Sequence, residues 1–196
     1  MKLNLPLALV LSLASFVARL QAADTYNIDP NHSTVGFAVN HMVINTVHGK
    51  FDEFTGSVTL DNNSLQSGTA TIQTKSINTG IERRDNHLKS PDFFDAAKYP
   101  SITFQSKRAE KKSDDAMLVG DFTMHGVTKE ISLPVTIKGP IKDPWGNTRI
   151  GIEAKTKLSR KDYGLKYNQM LETGGMVVGD EVEIQINAEA VKAAAK

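Results

Sequence analysis

The chain contains no cysteine among its 196 residues. Disulfides, thiol chemistry and a lipid-modified N-terminal cysteine are therefore excluded, and packing and hydrogen bonds alone must hold the fold. Net charge is also nearly absent, because 23 Lys and Arg residues face 22 Asp and Glu residues. This balance argues against a nucleic-acid partner or a strongly anionic membrane surface, both of which require a basic face.

Long hydrophobic runs are scarce, and the one notable run lies at the N-terminus. Lys2 precedes an uncharged run of 14 residues from Leu5 to Ala18, and Ala22 offers a small residue for cleavage. A spanning helix needs ~20 apolar residues, so this pattern predicts a cleaved secretory signal peptide over 1–22. We expect export to the periplasm, or beyond it, without a stable membrane anchor. A retained anchor is the alternative.

The exported domain predicted over 23–196 has 196 − 22 = 174 residues. Because Lys2 and Arg19 leave with the signal, its charge is 21 basic against 22 acidic side chains. This length fits one domain large enough to bury a core without disulfides or a metal. We find no linker, no low-complexity tract and no convincing repeat.

Motifs for metal or phosphate binding are missing as well. The five histidines show neither His-x-His nor His-x-x-x-His spacing, and no cysteine supplements them. The glycine-rich stretch "TGGMVVGD" leads into a strand pattern, whereas a phosphate loop leads into a helix. We therefore predict no metal site and read the histidines as turn and surface residues.

Most of the chain alternates apolar and polar residues with a period of two. The segment "VEIQINAEAV" places Val182, Ile184 and Ile186 on one face and Glu183 and Gln185 on the other. Similar alternation recurs in "TVGFAVN", "EFTGSVTL" and "EISLPVTIKG", with turn residues between the segments. Antiparallel strands with one buried face have this pattern. We expect about eight or nine strands in one all-β barrel or sandwich.

The segment from about 79 to 98 lacks this alternation and carries helix signals. Thr79 and Glu82 have the spacing of a capping box. Ser90, followed by Pro91 and an acidic residue, fits the start of a second helix. We therefore predict a short helical segment that ends before the strand following Pro100.

The same segment contains "DNHLKSPDFFD", residues 85–95, whose Ser, His and Asp raise the alternative of a small secreted hydrolase. No Gly-x-Ser-x-Gly elbow surrounds Ser90. Catalytic triads are assembled from separate segments, whereas these residues are adjacent in sequence. We expect Ser90 to cap a helix, and we predict no catalytic residue.

Seven ordered blocks of the sequence resemble the YceI-like family of exported bacterial proteins, which have a lipocalin-like barrel and bind polyisoprenoids and related lipids. The most diagnostic block is "RDNHLKSPDFFDAAKYPSITF" (84–104). The others are "DPNHSTVGFAVNHM" with "GKFDEFTGSV", then "GDFTMHGVTKEISLPV", "DPWG", "SRKDYGLKYN" and "VGDEVEIQINAEA". The resemblance covers nearly all of the predicted exported domain.

The resemblance implies an antiparallel eight-stranded barrel around an apolar tunnel, with the helical segment covering one end. We expect its ligand to be an isoprenoid or other long-chain apolar lipid, such as a polyprenyl lipid or an isoprenoid quinone, with no other cofactor. Phe93 and Phe94 would close the helical end, and Arg84 and His87 would contact a head group. The expected tunnel wall consists of Phe37, Val39, Phe54, Val58, Phe104, Phe122, Ile184 and Ile186.

The sequence leaves a ligand-free interaction module open as another alternative. Apolar residues that face inward would line a tunnel or fill a solid core equally well. Self-association into a homodimer also stays open. The reading that we carry forward is a periplasmic lipid carrier or scavenger without catalysis.

Overall fold

A computed structural model describes residues 23–112, 115–172 and 174–194. The predicted signal peptide, 1–22, lies outside the described residues. The described chain contains ten strands and one α-helix. The strands are β1 Asp24–His41, β2 Asn45–Phe51, β3 Phe54–Asp61, β4 Ser64–Gln73, β5 Ile77–Asn78, β6 Ser101–Lys112, β7 Asp115–Met124, β8 Val127–Lys142, β9 Thr148–Ser159 and β10 Val178–Lys192. The helix, α1, is Glu82–Lys89 and lies between β5 and β6.

Eight of these strands form a closed antiparallel ring in the order β1-β3-β4-β6-β7-β8-β9-β10. The ring closes because β10 pairs with β1, from Tyr26 opposite Lys192 to His41 opposite Val178. The remaining strands, β2 and β5, are additions to the ring. The expected all-β, eight-stranded barrel is confirmed.

The two additional strands lengthen the barrel at one end. The first part of β1 pairs with β3, whereas Val35–His41 pairs with β2. Thus β3 and β2 pair with successive parts of β1, and Asp52 and Glu53 connect these two strands. β1 itself has a bulge between Asp29 and Thr34. We call the end where β1 finishes and β10 begins the mouth end. The opposite end, which holds the turn between β8 and β9, is called the filled end.

The helical segment is shorter than predicted, and it begins differently. Gly80 has a φ of +78°, so the helix starts only at Glu82, and the position before it, Ile81, makes no side-chain cap. Asp85 instead reaches back and accepts hydrogen bonds from the amide (2.9 Å) and hydroxyl groups of Thr79. The predicted capping box between Thr79 and Glu82 is therefore wrong. Gly80 lies between the two residues in the left-handed conformation, so they are not placed to cap each other.

The predicted second helix is also wrong, since Ser90 ends α1 and residues 91–98 form successive turns. The amides of Phe93 and Asp95 both donate to the Ser90 carbonyl, at 3.1 and 2.9 Å. Asp95 has a φ of +45°, which a continuing helix does not permit. This compact turn directs the two adjacent phenylalanines toward the barrel.

Apolar side chains fill the barrel interior most tightly toward the filled end. Leu118 and Ile150 there are only 3% and 2% exposed. A Cβ at Gly68 would clash with Leu118 and contact Val58, so the glycine makes room for their packing.

Among the described residues, no helix is long and apolar enough to span a bilayer.

Candidate functional site

An apolar cavity of about 160 Å³ opens inside the mouth end of the barrel. Its exposed wall is made of carbon, and it extends from the ends of β1 and β6 to β10, beneath the segment that follows α1. Eight of the twelve residues predicted to bind ligand line it. They are Phe37, Val39, Phe93, Phe94, Phe104, Phe122, Ile184 and Ile186.

Aromatic rings form a connected row across the top of this cavity. Phe51 lies 5.8 Å from Phe37 and 6.0 Å from Phe94, measured between ring centroids. The ring of Phe37 lies over Gly49, its cross-strand partner, where any Cβ would clash with it. The glycine thus lets this ring lie flat across β2. Sequence reasoning missed Phe51, although it lies two residues after Gly49 and therefore on the same face of β2.

Arg84 and His87 do not line the cavity. Arg84 donates to the hydroxyl and carbonyl oxygens of Thr79, at 2.7 and 2.9 Å, and so fastens α1 to the strand before it. His87 contacts Asp92 through Nε2 at 2.9 Å, and its ring packs edge-on against Phe93. Both side chains therefore support the covering segment, and their expected contact with a head group stays a prediction.

Phe54 and Val58 also lie away from the cavity. Val58 is buried in the filled half of the barrel, near Leu118. Phe54, the first residue of β3, packs against the core beside the break that follows β2. Both belong to β3, which pairs with the first half of β1, whereas the cavity lies beside the second half. Local alternation cannot show this difference.

Arg160 is a second cavity residue that sequence reasoning missed. Only 4% of its side chain is exposed, and it borders the otherwise apolar cavity. Burial lowers the pKa of its guanidinium, an effect that Asp180 partly opposes. Its donors engage the carbonyls of Leu165, Tyr167, Val178 and Gly179, at 2.6–3.3 Å, and a carboxylate oxygen of Asp180 at 3.5 Å.

This arginine therefore ties the loop after β9 to the first residues of β10. A buried guanidinium is tolerated only where its donors are satisfied. Among the described residues, no buried side-chain nitrogen or oxygen lacks a hydrogen-bond partner. The block "SRKDYGLKYN" was recognised in the sequence, but nothing local to it signals that carbonyls from a later strand would surround its arginine.

The residues of the hydrolase alternative do not form a Ser–His–Asp relay. The Ser90 hydroxyl donates to the backbone carbonyl of His87 at 2.8 Å and accepts from the Asp92 amide at 3.3 Å. His87 does contact Asp92, but its ring lies between Phe93 and Tyr167, with centroids 5.1 and 4.9 Å away. Ser90 thus closes a turn. Among the described residues, no group of three or more His, Asp or Glu side chains converges as a metal site.

A separate charged cluster fastens the filled end. Arg149 donates to Asp29 and Asp143, both at 2.8 Å, and to Glu189 at 3.1 Å. Its guanidinium lowers the pKa of Asp29 to about 2, with help from His32, and that of Asp143 to about 2. The cluster joins β1, the β8–β9 turn, β9 and β10 across the closure of the ring. Its position far from the cavity gives it a role in holding the barrel.

A comparison with protein families agrees with both the fold and the sequence blocks. The model of the YceI-like domain matches residues 26–190, which include nearly all of the ring and the whole covering segment. The chain belongs to the YceI-like family. This membership agrees with the antiparallel barrel described above.

Relatives from other bacteria share both the sequence and the barrel. A UPF0312 protein of Staphylococcus aureus (strain N315) is 37% identical over 84% of this YceI-like chain and 95% of its own length. The crystal structure of a Campylobacter jejuni YCEI protein is 31% identical, with a TM-score of 0.68 over 79% of this chain and 90% of its own. A polyisoprenoid binding domain from Saccharophagus degradans has the same fold at 18% identity, with a TM-score of 0.62 over 86% of this chain and 98% of its own.

Proposed function

We propose that this YceI-like protein is a periplasmic carrier that holds the chain of an isoprenoid-type lipid inside its barrel without changing it chemically. The observation that carries the proposal is the carbon-lined cavity beneath Phe93 and Phe94. An apolar cavity of this kind excludes water and favours an apolar guest. The Saccharophagus neighbour, named as a polyisoprenoid binding domain, supports the same class of ligand.

The size of the cavity indicates how a long chain would be accommodated. At about 160 Å³ it is similar to cavities of ~150 Å³ that admit benzene, so it takes roughly one isoprene unit as it stands. A longer chain requires the aromatic row of Phe37, Phe51 and Phe94 to turn aside. Each buried carbon group contributes ~0.8 kcal/mol, and about ten of them offset the lower estimates for immobilising a ligand. Loading therefore opens the barrel interior.

The proposal also includes export and binding without catalysis. The signal pattern over 1–22 would deliver the protein to an aqueous compartment, where a free isoprenoid chain has no apolar surroundings. Ser90 and His87 are engaged in the covering turn, as described above. We infer transport or sequestration of a polyprenyl lipid or isoprenoid quinone, with no metal and no catalysis.

The test compares two tryptophan substitutions on β10. Ile184 lines the cavity, whereas Gln185 lies on the exposed outer face of the same strand. Ile184→Trp should fill the space used by the lipid, so the variant should fold and lose co-purifying lipid, whereas Gln185→Trp should retain it. Organic extraction of each purified protein followed by mass spectrometry measures the lipid. A wild-type extract without lipid, or an Ile184→Trp variant that keeps its lipid, contradicts the proposal.

A further inference from the structure

The turn between β1 and β2 violates the residue preferences of its own backbone. Met42 and Val43 have φ values of +52° and +65°, and the Ile44 amide closes the turn on His41 at 3.3 Å. A turn with two positive φ values favours Asn-Gly or similar pairs. A β-branched residue such as Val43 is an outlier in this conformation. The backbone is therefore strained at this hairpin tip.

Other hairpin turns of the same barrel follow the preference. The β3–β4 turn places Asn62 and Asn63 at φ values of +46° and +63°. The β7–β8 turn uses His125 and Gly126 at +51° and +76°. The same backbone geometry is thus built with suitable residues elsewhere. The Met-Val pair calls for an explanation beyond turn formation.

Packing does not explain the apolar residues of this turn. Val43 and Ile44 are 78% and 88% exposed, and Met42 is 40% exposed. Strain that persists without a packing benefit often marks a functional surface. Val43 and Ile44 thus project mainly into solvent, where apolar side chains are unfavourable.

A second hairpin-like loop adds apolar side chains beside this turn. Met170 and Met176 form an isolated antiparallel bridge and are 72% and 43% exposed. The Met42 amide donates to the Val177 carbonyl at 2.8 Å, which joins the two loops. We call Met42, Val43, Ile44, Met170 and Met176 the apolar rim.

The apolar rim is continuous with the cavity. Val39 lines the cavity three residues before Met42, and Val178 lines it two residues after Met176. The ends of β1 and β10 that carry the cavity wall therefore adjoin the rim.

We propose that the apolar rim inserts into the surface of a lipid bilayer and that the ligand enters and leaves the barrel there. This inference rests on the proposed carrier function and adds its membrane partner. Insertion places the apolar side chains of the strained turn in apolar surroundings and brings the mouth of the cavity close to the membrane lipids. Methionine is well suited to such a surface because its flexible side chain adapts to irregular partners.

The small size of the rim favours a bilayer over a second copy of the chain. Stable protein interfaces use ~20–30 residues on each side, whereas the rim has five. Lys166 and Glu172 on the adjoining loop are both exposed and have opposite charges. Binding should therefore depend on apolar insertion and change little with salt.

The test replaces the turn with one that suits its backbone. Met42→Asn combined with Val43→Gly removes two apolar side chains and relieves the strain, so the variant should melt no lower than the wild type. Met170→Ser provides an independent change in the second loop. Trp145→Ser is the matched control, since Trp145 is a turn residue that is 81% exposed at the filled end.

Flotation with phosphatidylethanolamine–phosphatidylglycerol vesicles measures binding, and movement of a fluorescent polyprenyl lipid between vesicles measures transfer. We expect the double variant to bind vesicles and to transfer lipid roughly tenfold less well than the wild type. Met170→Ser should be intermediate, and Trp145→Ser should be unchanged. Equal flotation of the double variant and wild type overturns the inference. So does an equal loss in Trp145→Ser, or a wild-type dimer that the double variant converts to monomer.

Lipid content distinguishes this inference from the carrier function. The double variant should retain the lipid that it acquired during expression, because its cavity wall is unchanged. If the wild type yields no lipid on extraction but floats through its rim, the carrier function fails while membrane docking stands. If lipid is present and flotation does not depend on the rim, only the inference fails.

Discussion

The two ends of the barrel are built from the same alternation of inward apolar and outward polar residues, yet one is filled and the other contains a cavity. At the filled end, Leu118 and Ile150 are almost completely buried. At the mouth end, Phe37 and Ile184 face inward but remain partly exposed toward the cavity. The difference lies where β2 and β5 extend the ring beyond β3 and β4. A barrel can therefore be stabilised at one end and kept available for a ligand at the other.

Each end is also fastened by an arginine, in chemically different ways. Arg149 at the filled end binds three carboxylates, so its hold depends on pH. Arg160 at the mouth end binds mainly backbone carbonyls, which do not titrate. The mouth is thus held in shape by hydrogen bonds that persist over a wide pH range.

The largest effect should come from truncating the filled end. Leu118→Ala removes a fully packed side chain and should cost about 2–5 kcal/mol of unfolding free energy. Ile184→Ala removes atoms that already border a cavity, so in lipid-free protein it should cost clearly less. Denaturant unfolding of both lipid-free variants measures the difference. Equal losses would mean that the two ends are packed alike.

A smaller loss is expected at the mouth. Arg160→Met removes the donors shared by four carbonyls and should cost about 2–3 kcal/mol, because buried acceptors are left without partners. It should also weaken lipid retention, since the loop after β9 borders the cavity. Lys161→Met, which removes an exposed partner of Asp180, is the control and should change little. Thermal melts and lipid content are the readouts, and an unaltered Arg160→Met variant would refute the fastening role.

The stability of the filled end should depend on pH. Because Arg149 lowers the pKa of Asp29 and Asp143 to about 2, below the ordinary 3.8, the cluster stabilises the fold above pH 3.8. That stability is lost as the pH falls toward 2. Arg149→Met should therefore melt below the wild type at neutral pH, and the difference should vanish near pH 2. Lys155→Met, which alters an exposed pair on the same strand, should show no such trend.

The smallest effect should be at Ser90. Ser90→Ala loses one hydrogen bond to the His87 carbonyl and should cost about 0.5–1.5 kcal/mol. Ser90→Asn can still donate to that carbonyl, whereas Ser90→Asp cannot, so Asn should be the milder change. Thermal melts of the three variants rank them. If aspartate is as good as asparagine, the important bond is the one that Ser90 accepts from the Asp92 amide.

The sequence determined the barrel and the character of its interior. Period-two alternation is a local property of each strand, and it predicts one buried face wherever that strand pairs. The wall residues on the second half of β1 and on β10, including Phe37 and Ile184, could be predicted for this reason. The family blocks supplied the number of strands in the ring and the place of the covering segment.

Tertiary structure decided which inward residues face empty space. Val39 and Val58 have similar local patterns, but only Val39 lies beside the widened mouth, and only closure of the ring places it there. The helix begins only after Gly80, and Asp85 accepts the hydrogen bond from the Thr79 amide. Local capping rules had instead favoured a capping box between Thr79 and Glu82. Arg160 became a buried clamp because carbonyls up to 19 residues away converge on it. Alternation fixes the face of a side chain, whereas burial depends on which distant segments the fold brings to that face.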